Sequence, residues 1–318
     1  MFKKDLISVV IVNWNKRDLL QACLQSLKAQ SYRDFEIIVV DNASKDGSLE
    51  LVKNYFPDVK LIMNSGNLLY SCALNQGIRE ACGEFILCLN NDTILDKDFL
   101  KECILAMKSD KDIGIVSGKI LSADGKFIDT AGEFLSRSRK PFERGYRRKD
   151  CGQFEREEFV FGAGGVAPFY RTKMLEEIKL KEGEYFDNDY GLFYEDLDLN
   201  WRANLLGWKA YYTPKAICLH ARGSSAKANI PAIRFLRKFN FCYLSCNHQL
   251  MLLRNRYSTI IKNDTLPKFF LNSPFILSCD LLIWAYLTLF KPLVIIRLFL
   301  DIKFVKIAYE KRRIIRKK

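Results

Sequence analysis

Apolar and polar positions alternate in blocks along the first third of the chain. Four short apolar runs, Ser8–Val12, Phe35–Val40, Val59–Met63 and Phe85–Leu89, alternate with segments whose apolar residues recur at helical spacing. After the first run, Leu19, Leu20, Cys23, Leu24 and Leu27 form one stripe within Asn15–Gln30. Asp46–Tyr55 (with Asp46 as N-cap), Ser71–Cys82 and Asp96–Lys108 read as further helices, and Ile113–Ser117 as a fifth strand. This alternation predicts an α/β fold, a mainly parallel sheet flanked by crossover helices. All four runs also end on polar residues: Asn13-Trp14-Asn15, Asp41-Asn42-Ala43-Ser44, Asn64-Ser65-Gly66-Asn67 and Asn90-Asn91-Asp92-Thr93. In a parallel sheet these endings share one edge, the edge at which open α/β sheets bind ligands. A core requires the strands but not the repeated polar endings, which points to a nucleotide site with a metal beside it.

The pattern loosens beyond residue 118. Residues 119–158 are polar and basic and read as an excursion from the sheet. Phe159–Ala163 and Val166–Tyr170 flank a glycine-rich turn, a helix follows over Asp196–Leu206, and Lys209–Thr213 and Ala216–His220 read as two strands. After about residue 230 the composition turns strongly apolar. Phe269–Cys279 and Leu281–Phe290 are uncharged but separated by Asp280, and Lys291, Pro292 and Arg297 follow. A spanning helix needs roughly 20 apolar residues, and Asp280 at mid-bilayer is costly. Leu298, Ile302, Val305 and Tyr309 share a stripe opposite Lys303, Lys306, Glu310 and Arg313, although Phe304 and Ile307 blur it. A helical region lying in the membrane interface fits this better than a span; a helical hairpin buried in the protein is the alternative. The expected division is 1–228 for the α/β domain and 229–318 for the helical, membrane-associating C-terminal region.

Composition adds a bias in charge. The net charge of +13 over 318 residues gathers in 137–149 (Arg137, Arg139, Lys140, Arg144, Arg147, Arg148, Lys149) and in the tail from Lys303 to Lys318. Such clusters suit an acidic partner. Because the tail adjoins apolar sequence and the basic residues lack interleaved aromatics, anionic lipid is favoured and nucleic acid is not expected. The ten cysteines contain no C-x-x-C pair, which fits a reducing compartment with cysteine as a small core residue. No signal peptide is expected, since Leu6–Val12 is short and ends at Asn13.

The candidate chemistry lies on the strand endings. Asp41 can accept a hydrogen bond from a nucleobase, and the helix start at Asp46 and Ser48 favours anions. Asn90 and Asp92, two apart in an extended ending, can face one ligand; a carboxylate beside an amide suits Mg²⁺ or Mn²⁺ carrying a diphosphate. Glu195, Asp196 and Asp198 crowd one helical turn, where clustered carboxylates raise one another's pKa as a general base requires. Asp198 and Arg202 form an i, i+4 pair, and Leu197, Trp201 and Leu205 a buried stripe. Gly162-Ala163-Gly164-Gly165 allows close backbone approach, but it is neither a P-loop nor a dinucleotide fingerprint. His220, ending a strand, is placed to close a metal–diphosphate site; His248 reads as structural.

Taken in order, these segments resemble glycosyltransferase family 2, whose members have the GT-A fold. The resemblance covers roughly residues 6–225. It rests on Val9-Val10-Ile11-Val12-Asn13-Trp14-Asn15, Asp41 to Ser48, Asn75-Gln76-Gly77-Ile78, Asn90-Asn91-Asp92-Thr93, Glu195 to Arg202, and His220. In detail it looks most like the rhamnosyltransferase branch, which implies dTDP-rhamnose as donor in surface polysaccharide assembly. By resemblance, Asn13, Asn15, Asp41, Ser44, Asn75, Asn90, Asn91 and Asp92 would bind the donor, and Asp92 and His220 the metal. Asp196 would be the base that deprotonates the acceptor, with Glu195 shaping its surroundings; Gly164, Gly165 and Trp201 are acceptor-side candidates. The reaction would invert the anomeric centre in one in-line displacement. Two departures stand out: Leu69 where the family often has glycine, and Asn90 where it usually has the first acid of the metal motif.

The apolar C-terminal region and basic tail fit a polyprenyl-diphosphate-linked acceptor at the cytoplasmic face of the cell membrane, with the enzyme peripheral or monotopic. Two other readings stand beside this one. A sugar nucleotidyltransferase shares such a sheet, but it usually opens with a glycine-rich loop that Asn13-Trp14-Asn15-Lys16 does not provide. A non-catalytic nucleotide-sugar-binding scaffold would keep the fold, though the intact Asp41, Asp92 and Asp196 count against it.

Overall fold

The computed structural model describes residues 2–222 and 240–318. The expected boundary at 228/229 and the segment Gly223-Ser224-Ser225 lie outside them. The first half follows the alternation read from the sequence: β1 (Lys3–Asn13), α1 (Arg17–Lys28), β2 (Phe35–Asp41), α2 (Ser48–Tyr55), β3 (Lys60–Met63), α3 (Leu69–Arg79), β4 (Gly83–Asn90), β5 (Thr93–Leu95), α4 (Phe99–Lys108) and β6 (Ile113–Ser122). Then come β7 (Ile128–Thr130), β8 (Glu133–Leu135), β9 (Pro141–Glu143), β10 (Glu158–Val160), β11 (Phe169–Arg171), α5 (Thr172–Ile178), α6 (Glu195–Leu205) and β12 (Lys209–His220). The C-terminal region is α7 (Cys246–Asn263), α8 (Leu266–Phe290), α9 (Pro292–Leu300) and α10 (Lys303–Arg316).

β1 pairs in parallel with both β2 and β4, and β2 with β3, in a register that aligns Asn13 with Asp41, Asp41 with Met63, and Val12 with Asn90. The four polar endings therefore share one edge. Valine and isoleucine fill both faces because each is covered: Val9, Ile11, Leu24, Val39 and Phe99 lie in one buried layer, and Val10, Ile38, Leu74, Ile86 and Tyr170 in the other.

Four details differ from the sequence reading. β6 does not extend the parallel set directly, because β11 is inserted antiparallel between β4 and β6. The two strands expected over 209–220 are one, β12, with a register shift between Thr213 and Ile217. Residues 119–158 are not an excursion: β7 joins the sheet beside β6, and β8 pairs with β9. Short strands with few apolar residues leave little periodicity to read. Asp46 lies one residue before the N-cap, Gly47; its carboxylate accepts from the Ser48 and Arg17 backbone N–H groups instead.

Leu69 is held at φ +64°, a left-handed backbone that favours glycine and costs a branched residue about 1–2 kcal/mol. Asn67 Oδ1 accepts from its N–H at 2.9 Å, and the Gly191 carbonyl accepts from the Tyr70 N–H at 3.2 Å, holding the turn in place.

The C-terminal helices pack onto this body. α7 lies against α6 and carries α9 and α10, and Leu253, Leu287, Val294, Leu298 and Phe304 form their own buried cluster. On α10 the buried stripe is Phe304, Ala308 and Ile315, whereas Ile302, Val305 and Tyr309 are exposed. The helix thus has two apolar faces, one for protein and one left open, which explains the blurred stripe in the sequence.

Candidate active site

Site residues from β1, β2 and β4 meet at the shared edge. Asp41 is buried; its Oδ2 accepts from Asn13 Nδ2 at 2.9 Å and its Oδ1 from the Ser44 N–H at 2.8 Å. Ser44 Oγ accepts from the Asn15 N–H at 2.9 Å, and Asn15 Oδ1 from the Lys45 N–H at 2.7 Å. Asn91 Nδ2 donates to Asn13 Oδ1 at 2.8 Å, tying the β4 ending to the β1 ending. The strand stops at Asn90, and Asn91 and Asp92 form a turn. The extended geometry expected for 90–92 is therefore absent.

Asp92 and His220 come together, because β5 pairs antiparallel with β12 and places Thr93 opposite His220. His220 Nε2 lies 3.2 Å from Asp92 Oδ1, and its Nδ1 lies 2.7 Å from Asp129 Oδ2. Burial opposes a charged ring, but the bonds to Asp129 and Asp92 outweigh it and raise His220 to about 9. Arg222 Nε also donates to Asp129, at 2.6 Å. A carboxylate, and an imidazole oriented through Nδ1 by another carboxylate, suit a divalent cation that takes the place of the Nε2 proton. Among the described residues no group of three or more such ligands surrounds one point. A cation here would take its remaining ligands from diphosphate oxygens and water.

Asp196 opens α6, and its Oδ2 accepts from the Gly165 N–H at 2.8 Å while Oδ1 accepts from the Leu197 N–H at 2.7 Å. Burial raises the Asp196 carboxyl, with those two backbone bonds working the other way. Glu195 is raised to about 8, by burial and then by the Asp196 charge. Tyr70 joins the two halves of the site: its hydroxyl lies 3.0 Å from Asn90 Oδ1 and 3.3 Å from the Gly165 carbonyl.

Several expectations do not hold. Asn75 spends its hydrogen-bonding capacity on the 185–188 segment. Its Nδ2 donates to the Phe186 carbonyl at 2.7 Å and Asn188 Oδ1 at 2.8 Å, and its Oδ1 accepts from the Tyr185 and Phe186 N–H groups. Trp201 is buried edge-on to Phe161 and beneath Arg139, so it packs rather than faces an acceptor. The glycine turn approaches protein instead of opening a surface. A Cβ at Gly164 would lie 2.4 Å from Glu143 Oε1, and one at Gly162 2.3 Å from Asn200. Asp198 does not join the raised carboxylates: despite burial, Lys262 and Arg202 hold it low.

Residues 119–158 supply what sequence reasoning missed: Asp129 on β7, Glu133 on β8 and Glu143 on β9. Burial first, and the Asp196 charge with it, raise Glu143 to about 7 and Glu133 well above the usual range. Glu133 Oε2, Glu143 Oε2 and Glu195 Oε2 are buried and accept no hydrogen bond from a described residue. The only sequence signal was an acid inside each short apolar piece. An acid whose folded pKa is raised keeps its proton longer when folded. Its stabilising contribution is present below the ordinary 4.5 and is lost as pH rises through about 7 for Glu143 and about 8 for Glu195. The melting temperature of the ligand-free protein is expected to fall from about pH 5 to about pH 8. Glu143→Gln should flatten that fall; an unchanged slope would show that Glu143 ionises freely.

The family model for glycosyl transferase family 2 matches residues 8–178. The poly-β-1,6-N-acetyl-D-glucosamine synthase of Staphylococcus aureus (strain MSSA476) is 26% identical over 293 residues, 89% of this chain and 63% of that protein. The chain spans 49% to 63% of the length of the first curated relatives it matches. Among solved structures, GalNAc-T7 with UDP, GalNAc and Mn²⁺ superposes with a TM-score of 0.60 at 15% identity, over 80% of this chain and 47% of that one. The mannosyltransferase PcManGT from Pyrobaculum calidifontis, in complex with GDP-Man and Mn²⁺, gives 0.51 at 17% identity, over 97% and 86%. These two likenesses concern the fold. With the family model extending from the first strand through the sheet to α5, on a GT-A-type α/β fold, the chain belongs to glycosyl transferase family 2.

Proposed function

We propose that this glycosyltransferase moves a sugar from a nucleoside-diphosphate donor to a hydroxyl of a lipid-linked saccharide, inverting the anomeric centre, at the cytoplasmic face of a membrane in surface polysaccharide synthesis. One observation carries the reading. Hydrogen bonds tie Asp41 through Asn13 to Asn91 on the β4 ending, the Tyr70 hydroxyl lies between Asn90 Oδ1 and the Gly165 carbonyl, and the Gly165 N–H holds Asp196. These contacts set Asp41, the Asn90–Asn91 turn that leads into Asp92, and the buried carboxylate of Asp196 around one edge of the sheet.

Asp41 and the Asn15–Ser44 pair would hold the nucleoside, and Asp92 with His220 would hold the cation. That cation, Mn²⁺ or Mg²⁺, supplies positive charge to offset the leaving diphosphate. Asp196 accepts the proton of the acceptor hydroxyl as its oxygen attacks the anomeric carbon opposite the breaking C–O bond. Gly165 and Leu197 fix the carboxylate for that transfer through their N–H groups. Asp129 fixes the ring of His220. The 229–318 region would associate with the membrane, where a polyprenyl-diphosphate acceptor resides.

For the donor we propose dTDP-rhamnose, on the resemblance of the Asn90-Asn91-Asp92-Thr93 segment to that branch. The second reading is UDP-N-acetylglucosamine, favoured by the N-acetylglucosamine polymer named for the staphylococcal relative. Thermal protection by dTDP, UDP and GDP, with and without Mn²⁺, separates the two. A nucleotide at about a hundred times its Kd stabilises by about 2.7 kcal/mol. Mn²⁺-dependent protection by dTDP, lost in Asp92→Ala, is the expected result. Preference for UDP would replace rhamnose with the second reading, and absence of protection by any nucleotide would overturn both donor readings.

A further inference from the structure

Helix α8 has the length and apolar composition to cross a membrane. Its 25 residues extend about 37 Å at 1.5 Å each, against a hydrocarbon core of about 30 Å. Its contacts point elsewhere. The buried positions Asn272, Ile276, Asp280, Ile283 and Leu287 recur every three or four residues, so one stripe faces protein along most of the helix. Ties to the body are spread along the same length. Arg139 donates to the Lys268 carbonyl at 3.2 Å, Arg256 Nε to Asp280 Oδ1 at 2.9 Å, and Trp284 Nε1 to the Tyr257 hydroxyl at 2.9 Å. Arg256 and Tyr257 lie on α7, which is itself held to α6 and its preceding loop through Lys262 and Asn255. After Lys291-Pro292 the chain turns back, and α10 returns to the catalytic body. Lys311 there meets Glu184 at 3.1 Å and Asp189 at 2.7 Å, and Lys318 donates to the Lys179 carbonyl at 2.6 Å.

Both halves of α8 are thus tied to the rest of the protein, while its remaining surface exposes Phe270, Leu271, Leu277, Leu281, Leu282 and Leu289. α9 continues the exposed apolar surface with Leu293, Ile296 and Leu300. Exposed Lys303, Lys306, Arg313 and Lys317 lie on the adjoining α10 and tail. A second copy set against this face would bring like charges together, whereas anionic headgroups complement them.

We propose that α8, α9 and α10 form an in-plane, monotopic anchor seated in one leaflet of an anionic bilayer without crossing it. The proposal rests on the membrane-associated reading of the C-terminal region and decides its geometry. Because α7 joins the anchor to α6, the lipid surface would set the orientation of the helix that carries Asp196.

The test uses the full chain in two measurements. In the first, the protein is floated with vesicles of phosphatidylcholine, alone or mixed with phosphatidylglycerol. Binding to the anionic vesicles is expected, reduced about tenfold or more by Leu277→Asp with Leu281→Asp, and unchanged by Leu105→Asp on the exposed face of α4. Both variants should keep their thermal protection by nucleotide, which shows that they fold. No flotation, with a dimer in sedimentation that the double variant dissociates, would overturn the membrane reading itself. In the second, an epitope tag after Lys318 is probed with protease in inside-out vesicles and in spheroplasts of a bacterial host. Cleavage of tag and catalytic body from the same side is the expected result. Cleavage from opposite sides would leave membrane association standing and overturn the in-plane geometry.

Discussion

Asp196→Asn is expected to slow sugar transfer by about 10²–10⁴-fold, the usual contribution of a positioned general base, while nucleotide protection remains at its original level. The amide keeps an oxygen to accept from Gly165 or Leu197 but has no site to take the acceptor proton. Glu195→Gln is the informative companion. Asp196 accepts two backbone N–H bonds, whereas Glu195 Oε2 is buried without a partner, so ionisation falls to Asp196 first. Glu195, raised to about 8, is then still protonated where Asp196 ionises. Its replacement should leave the acidic limb of the pH–rate profile in place. A limb that moves to lower pH in Glu195→Gln would reverse that order, and full activity in Asp196→Asn would remove Asp196 as the base.

Lys262→Met is expected to destabilise the protein by about 3–5 kcal/mol, the cost of removing one partner from a buried ion pair. Lys262 is fully buried on α7 and pairs with Asp187, and with Asp198 at 2.9 Å. Asp198 also accepts from Arg202 Nε at 3.0 Å and from Asn263 Nδ2 at 2.7 Å. Removing the ammonium leaves Asp198 on α6 with Arg202 and Asp187 on the loop before it with Lys311 as cationic partner. That loop contains Phe193 and Tyr194, both at φ +68°, immediately ahead of Glu195. Asn255 of α7 lies within hydrogen-bonding distance of the Tyr190, Leu192 and Phe193 carbonyls, at 2.9, 2.7 and 2.9 Å, and holds the strained turn. Urea denaturation measures the loss, and Asp198→Asn in the Lys262→Met background should recover part of it by removing one of the two buried carboxylates that lost a cationic partner. A loss below about 1 kcal/mol, as for an exposed pair, would mean that the C-terminal helices are separable from the catalytic body. A two-domain division near residue 228 would then stand. A large loss would make the two regions one folding unit.

The sequence alone determined the parallel strands, their helices and the edge they share, because β-branched runs and helical stripes are local patterns set by burial on one or both faces. It also singled out Asp41, Asp92, Asp196 and His220 as candidates, because each lies at the end of a strand, just after one, or at the start of a helix. Tertiary structure decided everything that depends on distant segments meeting. Asp129, Glu133 and Glu143 come from short strands with almost no periodicity and acquire meaning only beside His220 and Asp196. Asp198 looked like a third active-site acid until Lys262, far along the chain, turned it into a structural anion. Asn75 and Trp201 carried the right residue types but found their partners inside the protein. Asp280 seemed only to interrupt an apolar run; the buried Arg256 facing it ties α8 to α7. A local pattern records which face of an element is buried, whereas the role of a charged group depends on which opposite charge or backbone donor the fold brings within about 3 Å of it.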